Sequence, residues 1–424
     1  MSFFGTNKDA TWKISCAIVL LMLMALVSCA NAPQSAIETD EAEITETLVN
    51  AIRRYTDIEP FHNGYALVIH DTINDTKVHF GYINMSGEEV VPCVSGIDAM
   101  AYFKGDPNGI GFQFEDGLAA VVVNDKCGFF NTKGEQVIPC QYDMVDDFSE
   151  GLAAVGSGEE YGNYKWGFVN TDGEEVIPCQ YIDANPFSEG LAAVGVGVES
   201  WNCKYGFINK KGEEVIHCQY DKAGSFSEGL ANVKINGQWK AINNKGEVVF
   251  CYHHGAPEYF FFINSFSDGL VAVQRDEKWG FVDTSGKVIV PCQYDWAKSF
   301  SEGLAAVRRD GSKLEWKWGF INTKGEEAVP CLYDDVEDFS EGLAVVERDG
   351  KYGFINTKGE EIIPCQYDRA RSFSNGFAIV YLAYYDAIPP IKGIIDKKGN
   401  TTFTQEDWDE YEKWKREKKN IRIP

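Results

Sequence analysis

From about residue 59 to residue 400, short runs of alternating apolar and polar residues recur between glycine-bearing turns. The stretch Lys317 to Asn322 shows the pattern: Trp318, Phe320 and Asn322 fall on one face of a strand, and Gly319 and Ile321 fall on the other. Two further runs, Glu326 to Pro330 and Leu343 to Val346, have the β-branched composition of strands. Asn322-Thr323-Lys324-Gly325 between the first two reads as a tight hairpin, with Gly at the position that needs positive φ. Arg348-Asp349-Gly350-Lys351 reads as the next hairpin. The pattern predicts an antiparallel three-stranded meander repeated in tandem, with no crossover helices.

The repeat carries its own ruler. From the glycine of the first strand to the cysteine of the second is twelve residues at Gly81, Gly128, Gly167, Gly206, Gly280, Gly319 and Gly353. Nearly all length variation falls in two kinds of connection, and the copy with Lys240 in the glycine place, reaching Cys251, is one residue shorter. A glycine inside a strand marks a close approach by another group, and the proline of Val-Ile-Pro-Cys, which cannot donate to a ladder, belongs at a strand end or edge. The rings of Tyr142, Tyr181, Tyr220, Tyr294, Tyr333 and Tyr367 are expected to be buried. Tandem units bury their apolar faces against neighbours. Uneven copies and atypical ends favour an open, twisted all-β array here, with a closed β-propeller as the alternative.

The phrases Trp318-Gly319-Phe320-Ile321-Asn322, Gly-Glu-Glu-Val-Ile-Pro-Cys-Gln-Tyr-Asp and Phe-Ser-Glu-Gly-Leu-Ala-Ala-Val recur in order and resemble the WG-repeat family of bacterial proteins. The resemblance implies a β-rich repeat array, often in envelope or stress-associated proteins, with no general enzymatic activity and no catalytic residues to carry over. The copies at Cys127, Trp239-Lys240-Ala241 and Lys392-Gly393-Ile394 depart from the pattern.

Outside the repeats, Lys8 and Lys13 precede an apolar run from Ile14 to Val27, too short to span a bilayer and suited to a signal peptide over residues 1–28. Leu26-Val27-Ser28-Cys29 resembles a lipobox, which implies diacylation of Cys29, attachment to a membrane through that lipid, and a place in the bacterial cell envelope. Residues 29–58 read as an acidic tether followed by one short helix, with Ile44, Leu48 and Ile52 at helical spacing. Residues 401–424 read as a helix capped by Thr404, acids first and bases last, with Trp408, Tyr411 and Trp414 on one side.

The net charge of −25 argues against nucleic acid and against anionic membrane surfaces as partners. Eight of twelve cysteines occupy one repeat position, where equivalents in successive units are too far apart for disulfides, so they are expected to be buried small hydrophobes. Neither a zinc motif nor a nucleophile with a base at motif spacing occurs, so no cofactor, no metal and no enzymatic activity are expected. Candidate ligand contacts are the aromatics of four long hairpins: Tyr161, Tyr164, Trp201, Trp316, Tyr384 and Tyr385. A protein or glycan partner suits them. Two insertions, Ser95 to Gln113 and Tyr252 to Ser265, are expected on the opposite edge; the second carries Tyr259-Phe260-Phe261-Phe262.

Overall fold

In the computed structural model, which describes residues 44–71, 77–98, 113–124, 126–158, 164–197, 202–252, 265–310, 316–382 and 390–420, the strands pair into nine small antiparallel sheets. Each sheet is a blade whose strands follow one another in chain order. Asp335–Val336, Leu343–Arg348, Lys351–Asn356 and Glu361–Tyr367 form blade 8, and the others are numbered likewise, from blade 1 at residues 57–98 to blade 9 at residues 369–401. Among the described residues, blades 2 and 6 have only a single bridge in place of a first strand, and in blade 9 Thr401 bridges Ile395 where a fourth strand would lie.

The sequence repeat is out of phase with the blade. Its first two runs are the third and fourth strands of one blade, and its third run is the second strand of the next. Each unit therefore carries its own interface. Phe320 packs forward against Val336 and Phe339 of blade 8, whereas Ile321 on the reverse face packs back into the cluster of Phe281, Val290 and Phe300. The six repeat tyrosines are buried as expected.

The first strands of adjacent blades touch one another: Asn185 Nδ2 donates to Ala223 O and Lys298 Nζ to Val336 O. Fourth strands present the outer edge instead, with alternate residues exposed. The proline lies on that outermost strand, where a missing N–H costs nothing.

The array closes into a ring, a β-propeller, and the open array expected from the repeat variability is corrected. Each blade bonds to the next through the Phe-Ser-Glu-Gly turn. The serine hydroxyl donates to the carbonyl of the next blade's phenylalanine, as from Ser149 to Phe187, Ser188 to Phe226 and Ser227 to Phe266, each at 2.7 Å. The acid accepts from the next blade's glycine N–H, as Glu189 does from Gly229 at 2.9 Å and Glu302 from Gly342 at 2.8 Å. Reaching it places Glu189 and Glu302 at φ 55° and 53°, conformations non-glycine residues rarely adopt. At the seam the same bond recurs, since Ser374 donates to Phe61 O, 313 residues away in sequence.

Closure uses side chains rather than strand exchange. Arg371 pairs with Asp57 at 3.0 Å and Glu59 at 2.9 Å, and the Tyr381 hydroxyl donates to Asp57 at 2.6 Å. Helix α1 (Glu46–Arg54), capped by the Thr45 hydroxyl, buries Leu48, Ala51 and Ile52. It lies against the third strand of blade 9 and so close to blade 1 that a Cβ on Gly87 would come within 2.7 Å of Leu48 Cα. Helix α2 (Gln405–Asn420) starts at Thr404, whose hydroxyl accepts from Asp407 N, and packs Tyr411 into the core of blades 8 and 9. Arg53 of α1 meets Asp407 of α2 at 2.7 Å. The last blade has lost its fourth strand, not the contacts that join blades.

The close approach expected at the repeat glycine is made by its own blade. A Cβ on Gly319 would lie 2.4 Å from Val329 O of the adjoining fourth strand. Past the bare glycine, the Cys331 thiol reaches the carbonyl of Val307, the residue paired with Gly319 on the second strand, at 3.8 Å. The eight repeat cysteines are thus half-buried rather than fully buried hydrophobes, and Cys140, Cys179, Cys292, Cys331 and Cys365 each donate weakly to a second-strand carbonyl; the ten described cysteines, including Cys127 and Cys203, are not joined in disulfides.

Candidate functional site

Strand direction divides the ring into two faces. One bears the turns joining first to second and third to fourth strands; the other bears the second-to-third hairpins and the blade-to-blade links. The four long hairpins and both insertions all leave from this second face. Placing the insertions on the opposite edge is therefore corrected. A fourth strand runs antiparallel to the third and so ends beside the third strand's start.

The turn face is nearly constant, because its serine, acid, glycine and Asn-Thr-Lys-Gly groups are engaged in bonds within and between blades. On the other face, three residues aligned across the first, second and third strands form a row whose chemistry changes from blade to blade. Blade 3 presents Met144, Gly156 and Trp166; blade 4 presents Asp183, Gly195 and Tyr205. Blade 5 has Lys222, Lys234 and Trp239, and blade 8 has Asp335, Glu347 and Tyr352. Blade 7 has Trp296, Arg308 and Trp318, and blade 9 has Arg369, Tyr381 and Lys392. These side chains stand on paired strands.

The rows differ in how far they satisfy their own polar groups. In blade 4 the Tyr205 hydroxyl donates to Asp183 at 2.6 Å, and burial together with that carboxylate pushes the phenol's pKa up. In blade 9 Lys392 is wholly buried with no hydrogen-bond partner for its Nζ, and burial pushes its pKa down to about 8. Blade 7 differs. The Arg308 guanidinium lies 4.2 Å from the centre of the Trp316 ring, 5.5 Å from Trp318 and 5.7 Å from Trp296. Its Nε is buried without a hydrogen bond.

Of the aromatics singled out from sequence, Tyr161, Trp201, Tyr384 and Tyr385 lie outside the described residues, as does the lipidation candidate Cys29. Tyr164 is half-buried, and Trp316 is 51% exposed at the edge of the blade 7 row. The loop reading missed Arg308 and Trp296. A signal existed in the residue two places after the repeat tyrosine, which is Met144, Asp183, Lys222, Trp296, Asp335 or Arg369 while its surroundings barely change.

A groove of about 560 Å³ lies between blades 5 and 6, lined by Phe250, Cys251, Tyr252, Arg275, Asp276 and Lys278 among others. It opens where the fourth strand of blade 5 is shortened to Val248–Cys251. Just after the innermost strand of blade 3, Met144–Val145, burial pushes the pKa of Asp146 up to about 6 and that of Asp147 up to about 8, although Gln113 N donates to Asp147. Among the described residues, no group of three or more metal-ligating side chains converges.

Fold and surface together define a nine-bladed propeller with a constant turn face and a varied row face. Six stretches, residues 128–161, 166–197, 205–239, 279–312, 318–352 and 352–382, match the family described as WG containing repeat. The segment 166–197 runs from the third strand of blade 3 to the second strand of blade 4, the same offset unit. No curated protein sequence matches the chain significantly. Among solved structures, a crystal structure of the eukaryotic initiation factor is similar at 11% identity and a TM-score of 0.52, covering 76% of this chain and 92% of that one. That likeness concerns the fold alone. A KlHsv2 variant with loop 6CD replaced by a Gly-Ser linker aligns at 12% identity and TM-score 0.34, covering 63% of this chain and 97% of that one. An uncharacterized protein from Listeria monocytogenes EGD-e aligns at 10% and 0.32, covering 60% and 90%.

Proposed function

We propose that this chain is a cell-envelope lipoprotein whose WG-repeat ring is a binding scaffold for protein or glycan, held at a membrane by lipid on Cys29. The observation that carries the binding role is the contrast between the faces: one repeats its bonds blade after blade, the other changes its row in each. Packing needs the constant part, so recognition falls to the varied part. Acid side chains outnumber basic ones by 64 to 39, which disfavours nucleic acid. Nothing in the scaffold role calls for a cofactor or for catalysis.

Capture from solubilised envelope by the purified ring tests the role. Row-face substitutions should reduce capture and turn-face substitutions that preserve folding should not; equal effects would favour a structural spacer without a ligand. Anchoring is tested separately by fatty-acid labelling, which Cys29→Ala should abolish. Equal labelling of variant and parent would refute it.

A further inference from the structure

We propose that the row of blade 7, with Trp316 beside it, is a subsite for a carboxylated sugar, a uronic-acid unit of an acidic glycan gripped by Arg308. The proposal rests on the binding-scaffold reading and narrows it to one site and one ligand chemistry.

Arg308 is the starting point. Its side chain makes neither a hydrogen bond nor an ion pair, whereas Arg53, Arg54, Arg275, Arg309, Arg348, Arg371 and Arg416 each make at least one. That is unexpected in a chain of charge −25, where carboxylates are abundant. The guanidinium is instead held by indoles, with Trp316 at 4.2 Å and Trp318 at 5.5 Å, and its Nε is buried without a partner. The terminal nitrogens are not buried and have no protein partner. Rings that fix the plane of a guanidinium while leaving its fork open present the geometry that binds a carboxylate with two parallel hydrogen bonds. Aromatic packing also lowers the ordering cost of forming them.

The surroundings favour a sugar over an acidic peptide. Trp316, 51% exposed, offers an indole at the rim of the row, and the C–H face of a pyranose stacks on such a ring. An arginine fork beside one exposed indole fits a ligand that bears a carboxylate on a ring with an apolar C–H face, which a uronic acid is.

The test is titration calorimetry on the full processed chain with three probes: an oligogalacturonate, the neutral oligogalactose of equal length, and an oligoglutamate peptide. The oligogalacturonate should bind at least tenfold more tightly than either comparator, and added salt should weaken it. Arg308→Lys keeps the charge but removes the fork, and should weaken binding at least tenfold with an unchanged melting temperature. Trp316→Ala, at an exposed position, should weaken it similarly and covers the case in which the arginine variant folds poorly. Equal binding of the neutral sugar, preference for the peptide, insensitivity to both substitutions, or no binding of the uronate would each overturn the subsite. Envelope capture by the ring in that last case would leave the scaffold role standing, so the two failures are distinguishable.

Discussion

Removing Arg371 should loosen the seam of the ring. In the closed structure this guanidinium sits between Asp57 and Glu59, with its side chain 14% exposed and those of the acids 17% and 34% exposed. The two acids differ. Burial raises both, yet Arg371, the Tyr381 hydroxyl and the Ile58 N–H outweigh it at Asp57, which ends below the usual carboxylate range; at Glu59 burial wins. Asp57 therefore gains most from the pairing. Its contribution is present above the unfolded carboxylate pKa and is lost as pH falls through the depressed folded value. Arg371→Ala leaves a buried carboxylate unpaired, a loss of about 3 to 5 kcal/mol in comparable sites; the partial exposure of Glu59 places the expectation near about 3 kcal/mol. The control is Arg348→Ala, whose pair with Glu361 lies within one blade at 3.2 Å with both side chains at least 30% exposed, for which about 1 kcal/mol or less is expected. Urea unfolding of both variants at neutral pH, followed by tryptophan fluorescence, measures the difference. In an open array Arg371 would have no partner at residue 57, so the two variants would be equally stable. That result would refute closure.

Three further outcomes follow from the same coordinates. Gly319→Ala should cost about 1 to 3 kcal/mol by driving a Cβ into Val329 O, whereas Gly156→Ala, whose nearest neighbour is a side chain at 3.4 Å, should change unfolding by about 0.5 kcal/mol or less. Asp147 has a raised pKa, so the stability linked to it is complete below the unfolded carboxylate value and is lost as pH rises toward about 8; Asp147→Asn should melt with the parent at pH 4 and above it at pH 8, and parallel melting curves across that window would contradict this. Burial, with Glu361 adding to it, pushes the Cys365 thiol up to about 11, so at pH 8 its reaction with a thiol reagent should run about 100-fold slower in the native than in the unfolded protein, and equal rates would show the thiol to be unburied.

The strands, both hairpin types, the buried tyrosines and the terminal helices were legible in the sequence because each rests on a local signal: period-two alternation, a turn glycine, a threonine cap. Closure was not. Phe61-His62-Asn63-Gly64 reads as one more worn copy of Phe-Ser-Glu-Gly, and only in space does its carbonyl meet Ser374. The blade boundary was hidden because a unit that contributes to two neighbouring sheets has the same period as one forming a single sheet. The blade 7 row went unread for a related reason. Trp296, Arg308 and Trp318 are ten or more residues apart in sequence and become neighbours through strand register alone. Attention to loop aromatics found Trp316, the one member outside the three-strand alignment.

The partition between faces separates two kinds of mutational change. At a row position such as Met144, Lys222 or Asp335, nature already places different residues on the same backbone. A substitution there leaves the serine, acid and glycine bonds of the other face untouched. Specificity can drift one blade at a time while the ring stays assembled, and because each offset unit brings its own interface, a duplicated unit would enter the ring carrying a fresh row for selection to act on.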